Sequence, residues 1–465
     1  MKSQNGDPLL AAWSAVSRRL GEQPAIFDIE ARVLRTFAAI ESESQAIERD
    51  LLSEIQPGQV LAIQLGNHPS WPAVLLACLR RRIVVLPLEN TISAAERDAV
   101  FMVCGVAAAG VSGGSELEIL PVETAAARTR LGSDTSFLKL TSGTTASPRA
   151  IRFRSDQLLA DCRQICATME ITDRDLNFAV IPVSHSYGFS NLITPLLAHG
   201  VPMALSHDRM PRAVLDGLLR TEATVFPGMP VLYQAVCEIE EPPPLPALRL
   251  CISAGAPLPL ELAKSFRALY GHSIHSFYGA SECGGICYDR TAALVDENFV
   301  GPPMEGVELD FIDANAASGQ MRVRSAAVGA GYFPDADQAK LGGGVFIPDD
   351  LLAQAENGLQ VVGRVSDVIN VAGKKVNPAE VEAVLLGFHG VHYATAFGRE
   401  SSRRNEEVAA CVVATPPIDE GALREHCRRR LSAWQVPKRI FFVDQIPVNE
   451  RGKVSRRLLS ERFRS

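Results

Sequence analysis

The chain has 465 residues, of which 47 % are hydrophobic and 21 % charged, and its net charge is −7. That length exceeds one ordinary domain, the composition is that of a water-soluble globular protein, and the acidic balance argues against nucleic acid as a partner. No run approaches the ~18 uninterrupted apolar residues of a membrane span, Met1–Trp13 lacks the pattern of a secretory signal, and ten cysteines without CxxC pairs read as reduced thiols of a cytoplasmic protein.

The pattern along the chain alternates short β-branched runs with amphipathic stretches. Val60–Leu65 reads as a strand, Ser70–Arg81 as a helix and Ile83–Leu88 as the next strand. Phe137–Leu140 is a further strand. Ser155 then stands where it would cap a helix whose apolar residues are Leu158, Leu159, Cys162, Ile165, Cys166 and Met169. Strands follow at Phe178–Pro182, Val201–Leu205, Thr224–Phe226, Arg249–Ser253 and Ser273–Phe277, with helical patterns between them and a Pro-rich exposed loop at Glu241–Pro246. This rhythm predicts an α/β fold with mainly parallel sheets. From Gly301 to Gly363 glycines, short strands and turns predict a small β-rich part. A separate α/β unit starts at about Asp367, with helices at Pro378–Leu386 and Ile418–Leu431 and a strand at Glu407–Ala414.

The densest chemical signal is Leu140-Thr-Ser-Gly-Thr-Thr145, with Pro148 and Arg149 just beyond. It leaves a predicted strand. Four hydroxyl side chains surround a glycine, which lets backbone N–H groups approach an anion. Arg149 adds a positive charge suited to phosphate. No GK[ST] is present, so the segment is not a Walker loop. Its plain alternative is a Ser/Thr-rich turn. Gly110-Val-Ser-Gly-Gly114 fits GxSxG, but Ser115–Leu120 after it reads as a strand, where a hydrolase elbow needs a helix. His272, His275, Cys283 and Cys287 have a zinc-like spacing and read better as buried thiols beside a nucleotide motif. Lys374 and Lys375 also fit a solvated charge pair.

Thr141-Ser-Gly-Thr-Thr-Ala-Ser-Pro-Arg149 resembles the phosphate loop of the adenylate-forming superfamily, which contains acyl-CoA synthetases, adenylation domains and beetle luciferases. The family's loop has Gly where this chain has Ala146 and Ala150, and Lys where it has Arg149. Further motifs follow in the family's order. Pro182-Val-Ser-His-Ser-Tyr-Gly188 resembles the acyl-site segment, Ser253-Ala-Gly-Ala-Pro257 the adenine-contacting turn, and Phe277-Tyr-Gly-Ala-Ser-Glu282 the YGxTE motif. Asp349-Asp-Leu351 stands at Gly-Asp-Leu. Gly363–Glu380 resembles the hinge and the start of the mobile C-terminal domain, and Asn449–Arg456 the loop of the catalytic lysine. The resemblance covers about residues 55 to 457.

The resemblance implies a large N-terminal domain, residues 1–365, of two α/β subdomains and a small β-rich subdomain, followed by a small mobile α+β lid, residues 366–465. It implies that Thr141, Ser142, Gly143, Thr144, Thr145, Arg149, Gly255, Ala256, Pro257, Tyr278, Gly279, Ser281, Asp350 and Arg364 bind ATP or AMP, with Tyr278 stacking on adenine. His185, Tyr187, Gly188 and Gly279 would line the acyl pocket. Glu282 would hold Mg²⁺, Lys453 would be catalytic with His185 and Glu282, Ser366 would be the hinge, and Gly373 and Lys375 would line the thiol's path. The implied reaction activates a carboxylic acid as acyl-AMP and passes the acyl group to coenzyme A. A carrier-protein phosphopantetheine is the alternative acceptor. Ser184–Tyr187 lacks the Asp that amino-acid-activating domains use, and His185-Ser-Tyr187 is similar to coumarate-type ligases, so an aryl or other hydrophobic acid is expected. A non-catalytic adenylate binder would explain the departures at Ala146, Ala150, Ser281, Pro348 and Ser366. The retention of Glu282, Asp350, Arg364 and Lys453 weighs against it.

Overall fold

The structure, a computed structural model, describes residues 6–113, 116–122, 130–132, 134–141, 148–293, 296, 298–313, 317–371, 374–401, 405–415, 418–447, 454 and 456–463. The chain divides into two compact units. The first holds Met1–Asp310, Arg322–Pro348 and Gln354–Gln360, and the second holds Phe311–Met321, Asp349–Ala353 and Val361–Ser465.

The first unit is built on two mixed sheets. One runs, neighbour to neighbour, Gly331–Phe333, Ala150–Phe153, Phe137–Leu140, Val84–Pro87, Val60–Gln64, Val106–Gly113 and Glu116–Pro121. Its central pairings are parallel and its outer ones antiparallel. The other runs Gly284–Tyr288, Ile274–Ala280, Leu250–Ser253, Val225–Gly228, Asn177–Ala179, Met203–Leu205, Pro24–Asp28 and Val33–Thr36. It too is parallel inside and antiparallel at both edges. Central parallel strands are covered on both faces, and Val60–Ile63, Val84–Pro87 and Leu250–Ser253 are buried throughout. The helix Trp71–Arg81 is buried along nearly its whole length.

Two local expectations are corrected. Ser155 does not cap its helix. Arg154 holds the cap position, Gln157 Oε1 accepts from its backbone N–H at 2.9 Å, and Ser155 opens the helix itself. The strand expected over Phe178–Pro182 covers only Asn177–Ala179. The reason is Asn67, whose buried amide donates to the carbonyls of Ala179 (2.9 Å) and Ile181 (3.1 Å) and accepts from Val183 N–H (3.0 Å). Those bonds peel the chain off the sheet just before the His185 segment. The helices Pro8–Leu20 and Phe37–Asp50, capped by Asp7 and Thr36, carry caps the sequence reading passed over.

The second unit has its own sheet, ordered Lys374–Val376, Ile369–Val371, Asn405–Ala414 and Val391–Ser401, with Arg439–Phe442 parallel to Asn405–Ala414. Helices Pro378–Leu386 and Glu420–Arg428 pack on it, and Val376, Val381, Leu385, Ala410, Leu423 and Cys427 are among its fully buried core. In the same unit Ser318–Gln320 pair with Leu351–Ala353. Among the described residues no helix is long and apolar enough to cross a membrane.

Candidate nucleotide and acyl site

The two described ends of the phosphate-loop motif meet. The Thr141 N–H and hydroxyl both donate to the Arg149 carbonyl, at 2.9 and 3.1 Å. Leu140 and Ala150 pair directly behind them on antiparallel strands. Ser142, Gly143, Thr144 and Thr145 lie outside the described residues.

Arg149 connects this loop to the predicted metal-binding carboxylate through a residue the sequence did not single out. Its guanidinium lies 3.7 Å from the ring centre of Tyr332, and its Nη2 donates to the Asp335 carbonyl at 2.9 Å. The Tyr332 hydroxyl donates to Glu282 Oε1 at 3.1 Å. The Glu282 carbonyl in turn accepts from Gly329 N–H at 2.8 Å. Tyr332 is delivered by the edge strand Gly331–Phe333, where it pairs with Ile151. Its only sequence signal is a Tyr in a Gly-rich stretch 50 residues from its partner.

The adenine motifs lie at the C-terminal ends of adjacent parallel strands, where α/β sheets bind ligands. Gly255-Ala256-Pro257 follows Leu250–Ser253 as an exposed turn, with Gly255 at φ +86°. Tyr278 and Gly279 end the neighbouring strand, and Ser281 is in the turn after it. A side chain at Gly279 would put its Cβ 2.5 Å from the Gly284 carbonyl oxygen, so that position must stay bare. Tyr278 is half-buried.

In the acyl-site segment, His185 is exposed and its Nε2 lies 2.9 Å from Glu89 Oε1. Glu89, just past Val84–Pro87, was also missed. Tyr187 is held from behind: its hydroxyl donates to the Ile252 carbonyl at 3.3 Å and its ring packs 5.7 Å from Phe277. Burial pushes its phenol well above the usual range. Gly188 is required because a Cβ would approach the Pro182 carbonyl oxygen to 2.1 Å. The following turn, Phe189–Ile193, is π-helical, a distortion often found at functional sites.

In the second unit, Arg364 Nε donates to Asp350 Oδ1 at 2.6 Å. Asp350 is half-buried, whereas Asp349 is exposed and its carbonyl accepts from Val365 N–H at 2.7 Å. Ser366 falls in a 3₁₀ turn, Val365–Asp367, and Lys375 on the strand Lys374–Val376, with only their backbones described. Gly373 and Lys453 lie outside the described residues.

The look-alikes dissolve. Ser112 sits on Val106–Gly113, which turns into the antiparallel strand Glu116–Pro121, so no strand-to-helix elbow exists there. His272 and His275 bond the Leu245 and Asp289 carbonyls, at 2.9 and 2.8 Å, while Cys283 and Cys287 are buried thiols. The cluster of metal-ligating side chains among the described residues is a different one, Cys162, Cys166 and His199.

A sequence model of AMP-binding enzymes matches residues 115–333, and one of the AMP-binding enzyme C-terminal domain matches residues 380–453. The chain is 26 % identical to a probable CoA ligase of Humulus lupulus, over 89 % of this chain and 88 % of that one. It is 28 % identical to a 3,4-dihydroxybenzoate–[aryl-carrier protein] ligase of Bacillus anthracis, over 71 % and 74 %. In three dimensions it is similar to ATP-bound MatB from Rhodopseudomonas palustris, with a TM-score of 0.83 and 22 % identity over 98 % and 99 % of the two chains.

Proposed function

The chain belongs to the AMP-binding enzymes, the family of adenylate-forming acyl- and aryl-CoA ligases, and from that premise we propose that it activates an aryl or other hydrophobic carboxylic acid with ATP and transfers the acyl group to coenzyme A. The observation that carries this is the chain Arg149–Tyr332–Glu282, which joins the phosphate-loop edge to the carboxylate of the YGASE motif.

In the first half-reaction a carboxylate oxygen of the acid bonds to the α-phosphorus of ATP, and the bond to the bridging β-oxygen breaks, releasing pyrophosphate. Both partners are anionic, so positioning and cationic screening supply most of the rate. Thr141, Ser142, Gly143, Thr144, Thr145 and Arg149 hold the phosphates. The exposed turn Gly255–Pro257 with Tyr278, Gly279 and Ser281 takes the adenine, and Asp350 and Arg364 the ribose, whose hydroxyl donors suit an ionised acceptor. Glu282 fits Mg²⁺, since it presents a half-exposed hard oxygen donor steadied by Tyr332. Bound there, the ion would neutralise phosphate charge. Lys453 screens the charge that develops during attack, while His185, Tyr187, Gly188 and Gly279 shape the acyl pocket. In the second half-reaction a thiol sulfur bonds to the acyl carbonyl carbon, AMP leaves and the thiol proton is released. Residues 1–365 bind ATP and acid, residues 366–465 act as the lid, Ser366 is its hinge, and Gly373 and Lys375 line the thiol's path.

The test is pyrophosphate release with a panel of aryl, fatty and short dicarboxylic acids, with and without coenzyme A. Release with an aryl or other hydrophobic acid, followed by a coenzyme A thioester, is the expected result. No release with any acid would overturn it. The similarity to an aryl-carrier-protein ligase favours a second acceptor. A thioester formed only on a phosphopantetheinylated carrier would replace coenzyme A.

A further inference from the structure

Lys139 occupies the middle of the strand Phe137–Leu140, two residues before the phosphate loop, and is 4 % exposed. Its ammonium lies over the rings of Phe153 (4.7 Å) and Phe189 (5.7 Å). Its Nζ donates to Ser186 Oγ at 3.1 Å and Ser190 Oγ at 3.5 Å. The Ser190 hydroxyl donates to Asp161 Oδ2 at 2.6 Å, and Asp161 Oδ1 accepts from Gly285 N–H at 3.0 Å. Asp161 is itself 3 % exposed, and a Cβ at Gly284 would lie 1.9 Å from its Oδ1, so the contact is close. Burial lowers the lysine's proton affinity, against the opposing pull of Asp161, Cys283 and Glu282.

A buried lysine and a buried aspartate are expensive in a low-dielectric interior. Here they touch the three segments that bear the candidate site. Lys139 precedes Thr141, Ser186 lies between His185 and Tyr187, and Gly285 lies three residues past Glu282. A lysine whose proton affinity burial lowers is of a kind that concentrates at such places.

We propose that Lys139 and Asp161, bridged by Ser190, are positioning residues of the adenylation site. They fix the phosphate-loop strand, the His185–Gly188 segment and the turn after Glu282 in one arrangement. This rests on the function proposed above.

The test is the double variant Lys139→Met/Asp161→Asn, which removes both charges at nearly constant volume. Replacing a buried ion pair by neutral groups is often harmless to stability, so its melting temperature should stay within a few degrees of the parent. Its kcat for pyrophosphate release should nonetheless fall by up to about 10²-fold, the scale of a small misplacement of reacting groups. Mg·ATP affinity, read by calorimetry, should fall as well. Activity and affinity both at the parent level in a well-folded double variant would overturn the proposal, as would losses that merely follow the melting temperature. A parent protein that binds Mg·ATP but activates no acid would instead sink the proposed function, and the affinity comparison would still decide the positioning role.

Discussion

Lys139 and Asp161 in the first unit are each at most 4 % exposed and meet through Ser190, whereas Arg364 and Asp350 in the second unit touch directly, with the Arg364 side chain 62 % exposed and that of Asp350 13 %. The chemistry of the two pairs is alike and their energetics are not. In a dry interior, removing one charge strands the other without solvent. Where one partner reaches water, as the Arg364 guanidinium does, solvent screens part of the same removal. The first pair is therefore bound into the architecture, while the second keeps its guanidinium in water.

The largest expected effect is on the buried side. Lys139→Met alone should lose about 3–5 kcal/mol of stability in a denaturant melt, because Asp161 stays buried with its Ser190-bridged cationic partner removed. A loss below 1 kcal/mol would place Lys139 with the exposed pair and break the comparison.

Lys453→Ala tests the opposite extreme, function without stability. Pyrophosphate release should drop by on the order of 10²–10³, as for loss of one preorganised electrostatic donor. Thioester formation from supplied acyl-AMP should persist, and the melting temperature should not move. Equal loss of both half-reactions would contradict a role confined to adenylation.

Asp350→Ala should raise the KM for ATP by roughly 10–100-fold, matching the ~1.5–3 kcal/mol of a hydrogen bond to a charged group. Its melting temperature should barely shift. Asp349→Ala is the control, because Asp349 is exposed where Asp350 is half-buried. If Asp349→Ala proves the damaging change, the ribose assignment moves by one residue.

The smallest effect belongs to Tyr332→Phe, which keeps the ring under Arg149 and deletes the hydroxyl bonded to Glu282. A rise of about 3–10-fold in the Mg²⁺ needed for half-maximal rate corresponds to the ~0.5–1.5 kcal/mol of one hydrogen bond. An unchanged magnesium requirement would show that the hydroxyl does not orient the carboxylate.

Much of this was legible before the fold. The strand Phe137–Leu140 and the helix Pro378–Leu386 fall at the residues where periodicity placed them. The site motifs are short contiguous runs, which a linear reading can find. Lys139 and Asp161 carried a signal that was passed over. Asp161 stands on the buried face of its helix between Leu158 and Ile165, and Lys139 interrupts an apolar strand. A charge at a core position is a question the sequence raises and cannot answer, since its partner is elsewhere in the chain.

The sequence by itself determined the alternation of strands and helices and the order of the nucleotide motifs, because these depend on neighbours along the backbone. Only the tertiary structure decided that Tyr332 meets Glu282 across 50 residues, that Glu89 faces His185, that Asn67 ends a strand more than 100 residues away, and that Ser190 joins Lys139 to Asp161. Such contacts leave no periodicity in the chain. They exist because packing the sheets and helices brings those polar groups together, and the buried ones among them must find partners there.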